Sequence, residues 1–260
     1  MRILKRLFFD IETTPLVVYS WRIGYKINIP HDNIIEHNKI ICICYKWEDS
    51  KFTNSLIWDS DQCDKKMLVK FLKIVEKADE CVAHNGDGYD IKWIRTRCAY
   101  HNLYCPDKID SYDTLKKARK QFRLNSNKLD YIAKFFGVGE KMDTGGFDLW
   151  VDVMKKNPIA MKKMVEYCKK DVIILEKVFK KIYEYSEVNT HTGVAFGDHR
   201  WTCPKCGSQK IRGNGTYTSK TGTTKQRMRC NTCNGGWRIS NAVYRNFLEW
   251  RYDKKKNKNN

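Results

Sequence analysis

The chain has 260 residues, of which 42% are hydrophobic and 13% aromatic, enough for one large domain or a domain with a small module. Its formal net charge of +19 favours a polyanionic partner, usually nucleic acid, over a merely lysine-rich solvated surface. No apolar run approaches the roughly 18 residues of a membrane span, and the N-terminus lacks the apolar core of a signal peptide. We therefore expect a cytoplasmic protein that does not bind a membrane.

Charge and cysteines are unevenly distributed along the chain. Residues 1–198 contain 34 basic and 28 acidic side chains, whereas residues 199–260 contain 15 and 2. Of the 11 cysteines, 7 are scattered and 4 form a regular pattern near the C-terminus, which fits a reducing compartment better than a disulfide framework. The asymmetry predicts two modules, of which the second binds polyanions more strongly.

The hydrophobic pattern predicts strands alternating with helices, which indicates an α/β domain. The predicted strands are residues 3–12, 39–48, 53–59, 81–85 and 108–114, and the predicted helices include Met67–Val75, Tyr89–Tyr100, 114–121, 128–136 and 158–187. We expect this domain to occupy residues 1–188, followed by a linker at 189–200, a cysteine module at 201–240 and a basic tail at 241–260.

Acidic side chains occur at three points of this pattern. Asp10 and Glu12 are two apart on the first strand and therefore face the same side, Asp90 opens a helix, and Tyr167 and Asp171 are four apart on the last helix. Each of these motifs also has a purely structural explanation. Asp10 and Glu12 would be acids at an exposed strand end, Asp90 would be a helix cap, and Asp171 would be a surface aspartate near the buried Tyr167.

Taken in order, the stretches "FFDIETTP", "VAHNGDGYD" and "YCKKD" resemble the DEDDy branch of the DnaQ-like, ribonuclease H-like exonucleases. This group includes the proofreading domain of family-B DNA polymerases and YprB-like stand-alone proteins, often from bacteriophages. The resemblance covers about residues 3–187 and extends to "SYDTLKKARKQFRLNSNKLDYIAKFFGVGEK". It implies a mixed five-stranded sheet flanked by helices.

The resemblance also implies roles for individual residues. Asp10, Glu12, Asp90 and Asp171 would bind two Mg²⁺ or Mn²⁺ ions, Tyr167 would orient the attacking water, and Asn85 would contact the substrate near its 3′ end. Hard divalent ions prefer oxygen ligands, which agrees with these residue types. Residue 166 is glutamate, so the histidine of the DEDDh branch is absent. We expect His84, Asp87, Asp110 and Asp113 to be structural or supporting residues.

The expected activity is metal-dependent 3′→5′ hydrolysis of nucleic acid by a two-metal mechanism, with DNA favoured over RNA. A catalytically silent nucleic-acid-binding adaptor and a structure-specific endonuclease of the same fold are the alternatives. A separate DNA polymerase or another replication protein is a candidate partner, the host cytoplasm is the location expected for a phage-encoded protein, and we expect a monomer.

The C-terminal cysteines form two CxxC pairs, Cys203/Cys206 and Cys230/Cys233, with the spacing of a structural Cys₄ zinc ribbon. The module resembles the ribbon of some insertion-sequence transposases, which implies nucleic-acid binding; a protein-binding ribbon is the alternative. The candidate phosphate contacts are Arg212, Lys220, Lys225, Arg227 and Arg229, and the candidate stacking residues are Tyr217 and Trp237.

Overall fold

The computed structural model describes residues 4–24, 26–143 and 145–257. The chain divides into two compact units, one formed by Lys5–Glu187 and the other by Val188 and the residues after it, together with Leu4. Within the described residues, every helix is too short or too polar to cross a lipid bilayer.

The first unit is built on a mixed sheet. Its strands are β1 (Arg6–Thr13), β2 (Val17–Val18), β3 (Ile34–Glu36), β4 (Ile40–Trp47), β5 (Asn54–Ile57), β6 (Glu80–Ala83) and β7 (Ser111–Asp113). Five of them form one sheet in the order β5-β4-β1-β6-β7, in which β1 is antiparallel to β4 and parallel to β6. The predicted mixed five-stranded sheet is therefore confirmed.

Among the residues that the structure describes, six α-helices flank this sheet: α1 (Lys65–Val75), α2 (Asp90–Tyr100), α3 (Thr114–Gln121), α4 (Leu129–Phe135), α5 (Asp148–Met154) and α6 (Pro158–Tyr185). Alternate residues of the strands face opposite layers. Phe8 of β1 packs in the core that contains α4, α5 and α6, whereas Phe9 packs in the core that contains α1 and α2. Asp10 and Glu12 are two and four residues after Phe8 on β1, so their side chains lie on the same face of the sheet as Phe8 and point toward α6.

Strands β2 and β3 and helix α5 of the first unit were absent from the sequence-based prediction. Strands β2 and β3 pair with each other in antiparallel fashion, and they are too short to show an alternation of polar and apolar residues in the sequence. Helix α5 has seven residues and buries only Leu149 and Val153, which leaves little periodic signal. Pro158 begins α6 as predicted, and the Asn157 side chain caps it by accepting a 2.9 Å hydrogen bond from the Ile159 amide.

The second unit contains a three-stranded antiparallel sheet in the order β10-β9-β8, formed by β8 (Ile211–Thr218), β9 (Thr224–Cys230) and β10 (Gly236–Ser240). Two helices accompany it, α7 (Thr192–Ala195) and α8 (Asn241–Lys256). The core of this unit consists of Trp201, Cys203, Ile211, Met228, Cys230, Ile239 and Phe247.

The structure differs from the prediction on both sides of this sheet. Residues 189–200, predicted as a linker, include α7 and belong to the second unit, where the Thr192 amide and hydroxyl donate to the carbonyls of Pro204 and Lys205. In the predicted basic tail, a short helix followed by a basic arm was expected; the helix, α8, is longer than expected and continues to Lys256, with Phe247 packed in the core. Residues 258–260 lie outside the described residues.

Candidate functional site

Strand β1 places Asp10 and Glu12 side by side on the sheet face that α6 covers. Both side chains are partly buried, and one oxygen of each lies within 4.8 Å of the other and of the Cys168 thiol on α6. The Cys168 Sγ contacts the Asp10 main-chain carbonyl at 3.4 Å. The two carboxylates therefore lie between β1 and the middle of α6.

A third carboxylate reaches β1 from the start of α2. Asp90 is buried, and its Oδ1 accepts a 3.2 Å hydrogen bond from the amide of Ile11, the residue between Asp10 and Glu12. The loop from β6 makes this approach possible, since Asn85 adopts φ +66° and a Cβ on Gly86 would lie 2.5 Å from the Ala83 side chain. The loop thus joins β6 to α2 in a space that would not admit a larger residue at 86.

The fourth carboxylate lies on α6, one turn after Tyr167. Asp171 is 2% exposed, forms an ion pair with the Lys141 ammonium, and contacts the Tyr167 hydroxyl. Lys141 also donates a hydrogen bond of 3.2 Å to the Tyr167 Oη. The second oxygen of Asp171, Oδ1, is buried and has no hydrogen-bond partner among the described residues.

Burial is the main cause that raises the pKa values of these carboxylates, and repulsion from neighbouring carboxylates adds to it for Asp10 and Glu12. Burial, reinforced by Asp90, Glu12 and Asp171, raises the pKa of Asp10 well above its ordinary value. Burial and the charge of Asp171 raise the pKa of Glu12 to about 8, although Lys141 opposes the shift. Burial raises the pKa of Asp90 to about 7, against the hydrogen bond from Ile11.

Divalent cations fit this arrangement. Carboxylates that repel one another are stabilised in their charged form by a cation between them, and hard cations take oxygen ligands. The unpartnered Oδ1 of Asp171 is a buried acceptor of the kind that such a cation would satisfy. The residues present therefore fit the Mg²⁺ or Mn²⁺ expected from the sequence.

Lys141, which lies in the loop between α4 and α5, was not singled out from the sequence. Its amide donates to Asp130 Oδ1 at 3.0 Å, which holds the backbone, and its side chain reaches Asp171 and Tyr167. Burial lowers the Lys141 pKa, but Asp171 and Tyr167 more than offset this effect, so the pKa lies above its ordinary value. The ammonium group therefore stays charged at neutral pH.

Nearby polar residues have structural contacts. His84 is held at both ring nitrogens, by Thr114 Oγ1 and by the Asn127 carbonyl, each at 2.9 Å. Asp113 caps α3 and also accepts the Asn85 amide at 3.0 Å, while Asp87 pairs with Lys116. These contacts agree with the structural roles expected for them.

Two other residues of the sequence-based prediction lie at the surface. Asn85 is exposed in the loop before α2, five residues before Asp90 in the chain. Asp110 is exposed before β7 and pairs with Lys108 at 2.8 Å. Asn85 therefore remains a predicted substrate contact, and Asp110 is a surface residue.

The four C-terminal cysteines come together in the second unit. All four sulfur atoms lie within 4.8 Å of one another, with Sγ to Sγ distances of 3.5 Å for Cys203 to Cys233 and 3.6 Å for Cys206 to Cys230. Four sulfurs at Zn–S distances of about 2.3 Å would be separated by about 3.8 Å. The cluster therefore fits a closed tetrahedral Zn²⁺ site.

The ribbon sheet has an apolar face and a basic face. Met228 of β9 is buried, and its neighbours Arg227 and Arg229 point to the opposite side. Strand pairing places Arg238 opposite Arg227, and Arg212 opposite Arg229, so these cations share one face. Lys225 lies on the same face, and Lys220 lies in the turn before β9.

Two aromatic residues were predicted to stack on bases, and the structure places them differently. Tyr217 lies on the basic face, where the Arg238 guanidinium covers its ring at 3.6 Å. Trp237 packs against the ribbon core and its indole N–H is buried. Arg238 was not among the residues predicted from the sequence. The alternation of "GWRIS" along β10 could have identified it as a residue on the exposed face of the sheet, and strand pairing places it opposite Arg227.

Comparisons with known proteins agree with this fold. The model of the RNase_H_2 family, of the RNase H superfamily, matches residues 7–183. A family B DNA polymerase from the hyperthermophilic archaeon Pyrobaculum calidifontis is similar over 70% of this chain and 25% of its own, with a TM-score of 0.54 and 16% identity, a likeness that concerns the fold. No curated protein matches. The chain belongs to the RNase H superfamily.

Proposed function

We propose that this protein is a metal-dependent 3′→5′ exonuclease that hydrolyses phosphodiester bonds, with DNA favoured over RNA as the substrate. The observation that carries the proposal is the convergence of Asp10, Glu12, Asp90 and Asp171, which include a buried carboxylate oxygen with no partner among the described residues. An ordinary protein core does not gather four acids in this way, because each one raises the cost of ionising the others.

The four carboxylates would hold two Mg²⁺ or Mn²⁺ ions. When bound, such ions neutralise the charge of the phosphate, lower the pKa of a water molecule and stabilise the departing 3′ oxygen. The ions would also compete with the Lys141 ammonium for Asp171. The overall reaction adds water across the terminal P–O3′ bond and releases a nucleoside 5′-monophosphate.

Tyr167 is suited to position the attacking water. Burial and the neighbouring Asp171 raise its pKa to about 12, so the hydroxyl stays protonated at neutral pH. Lys141 donates to the Oη, which leaves the phenolic proton free to bond to Asp171 or to a water molecule. Lys141 thereby fixes the orientation of the hydroxyl group and adds positive charge next to the expected phosphate position.

We further propose that the ribbon binds nucleic acid. A closed Cys₄ site has no open coordination position, so its Zn²⁺ would stabilise the fold and take no part in hydrolysis. The basic face formed by Arg212, Lys225, Arg227, Arg229 and Arg238 provides phosphate contacts that do not depend on sequence. Tyr217 would have to lose its contact with Arg238 before it could stack on a base.

A cleavage panel tests the proposed activity. The substrates are matched DNA and RNA oligonucleotides with a 5′ label, each with a free or a blocked 3′ end, together with a single-stranded DNA circle. We expect Mn²⁺-dependent or Mg²⁺-dependent shortening of the free 3′ end, and intact circles and blocked strands. Asp171→Asn should abolish cleavage, whereas Asp110→Asn, a change of the same chemistry at the exposed surface, should not affect it.

Other results would contradict the proposal. Cleavage of the circle would indicate an endonuclease of the same fold. Binding with no cleavage, equal for the wild type and Asp171→Asn, would indicate a nucleic-acid-binding adaptor.

A further inference from the structure

Three cysteine thiols of the first unit meet beside the carboxylates. Cys42 and Cys44 lie two residues apart on β4 and so face the same side, and Cys168 of α6 packs against them. All three residues are fully buried, and their sulfur atoms lie within 4.8 Å of one another. The proposed nuclease chemistry uses none of these thiols.

The position of the thiols follows from strand pairing. Cys44 is the cross-strand partner of Asp10, and Cys42 is the partner of Glu12. Cross-strand partners project from the same face of a sheet, so a row of two thiols lies alongside the row of two acids. Cys168 lies next to both rows, since its Sγ is 3.7 Å from the Asp10 carboxylate.

The chemistry of three converging thiols is different from that of the neighbouring acids. Thiolates are soft ligands that select zinc and related ions, whereas the carboxylates suit Mg²⁺ and Mn²⁺. Three sulfurs around one ion at about 2.3 Å would be separated by about 4 Å. The three thiol sulfurs lie within 4.8 Å of one another, as the four ribbon sulfurs also do.

We propose that Cys42, Cys44 and Cys168 form a three-thiolate site for one divalent cation of the zinc and cadmium class. A divalent ion suits the site better than a monovalent one, because it cancels more of the charge of three thiolates that lie next to Asp10 and Glu12. This site is distinct from the Cys₄ ribbon, and it adjoins the carboxylates that would hold hard cations, since the Cys168 Sγ lies 3.7 Å from the Asp10 carboxylate.

The group formed by Cys63, Asp64 and His101 is a competing candidate within the described residues. Arg97 excludes it, because its guanidinium already donates to both Asp64 oxygens, at 2.7 and 3.0 Å. A cation there would face a buried positive charge. Among the described residues, the three thiols form no such ion pair: they contact one another, the main-chain carbonyls of Val165 and Asp10, and the Asp10 carboxylate.

Occupation of the thiol site would also affect its neighbour. An ion drawn to Cys168 would place positive charge close to the Asp10 carboxylate and restrain the α6 turn that carries Tyr167. If the proposed nuclease activity is correct, the cation would act as an inhibitor that Mg²⁺ does not displace. Binding itself does not depend on that activity, so a metal-binding experiment tests the site separately.

The test is a measurement of metal content on the reduced full-length protein with zinc already in its ribbon. The protein is incubated with Cd²⁺, free ions are removed, and bound zinc and cadmium are counted together by elemental mass analysis. Formation of Cd–thiolate bonds is followed by their ultraviolet charge-transfer absorption. We expect two ions of this class per wild-type chain.

The variants then locate the second ion. Cys42→Ala and Cys168→Ser should each reduce the total to one ion per chain, whereas Cys81→Ala, which removes another buried thiol from β6, should leave two. The proposal is wrong if the wild type binds only the ribbon ion, a result that needs no variant to fold. It is also wrong if folded Cys42→Ala and Cys168→Ser both retain the second ion.

Discussion

Replacing Glu12 with glutamine should change how the stability of the first unit depends on pH. The pKa of Glu12 is raised from an ordinary 4.5 to about 8, because burial and Asp171 disfavour its charged form. The folded protein therefore binds this proton more tightly than the unfolded chain. Protonated Glu12 stabilises the folded state fully below pH 4.5, its pKa in the unfolded chain. This stabilisation is lost as the pH rises toward about 8, its pKa in the folded protein.

For a group with these two pKa values, the loss between pH 5 and pH 8 is about 3 to 4 kcal/mol in the free energy of unfolding. The wild type should lose this amount relative to Glu12→Gln over the same interval, in the absence of added divalent cations. Saturating Mn²⁺ should remove most of the difference, because a bound cation favours the charged carboxylate.

Hydrogen exchange at the buried amides of β1 and β4 measures the unfolding of this unit, and leaves the ribbon zinc in place. Glu76→Gln is the control, since Glu76 is exposed at the end of α1. If wild type and Glu12→Gln show parallel stability curves from pH 5 to pH 8, burial and Asp171 do not raise the Glu12 pKa as the structure indicates.

Four further outcomes are expected. Tyr167→Phe should lower the single-turnover rate of cleavage by about a hundredfold with little effect on DNA affinity, since it removes one hydrogen bond to the attacking water. Lys141→Met should also lower that rate, and should tighten Mn²⁺ binding measured by calorimetry, because the ammonium no longer competes for the shared carboxylate. Replacing Arg227 and Arg238 by glutamine should reduce the slope of log affinity against log salt by about 2, measured by fluorescence anisotropy. Cys206→Ser should release zinc and unfold the ribbon while the first unit retains its melting transition.

The secondary structure of the first unit was largely predictable because its long elements bury one face. The period of Met67, Leu68, Phe71, Leu72 and Val75 predicted α1, and all five side chains are buried. Short elements such as β2 and α5 gave no such signal, since their positions depend on contacts with other parts of the chain. In the second unit, helix α7 was missed because its position depends on contacts of Thr192 with Pro204 and Lys205, which no local pattern reveals.

The candidate site was predictable only in part. The alternation of β1 gave the common direction of Asp10 and Glu12, and helical spacing placed Tyr167 above Asp171. The approach of Asp90 to Ile11 spans 79 residues of sequence, and no local rule predicts it. The order of the motifs supplied this information through resemblance.

Lys141 and the thiol site show what remained hidden. Lys141 is 30 residues from Asp171 and lies in an irregular loop, so nothing in its surroundings in the sequence marks it as a member of the site. Cys42 and Cys44 resemble ordinary buried strand residues, and their relation to Cys168 depends on how α6 packs on the sheet. Tertiary structure was needed to find both.

Anomalous diffraction from crystals soaked in Mn²⁺ tests the central claim most directly. We expect manganese peaks in contact with Asp10, Glu12 and the Oδ1 of Asp171, with the Lys141 ammonium no longer paired to Asp171. Crystals that show no manganese at these carboxylates, with the ion pair between Lys141 and Asp171 intact at saturating Mn²⁺, would contradict the assignment of this site as a metal-dependent nuclease centre.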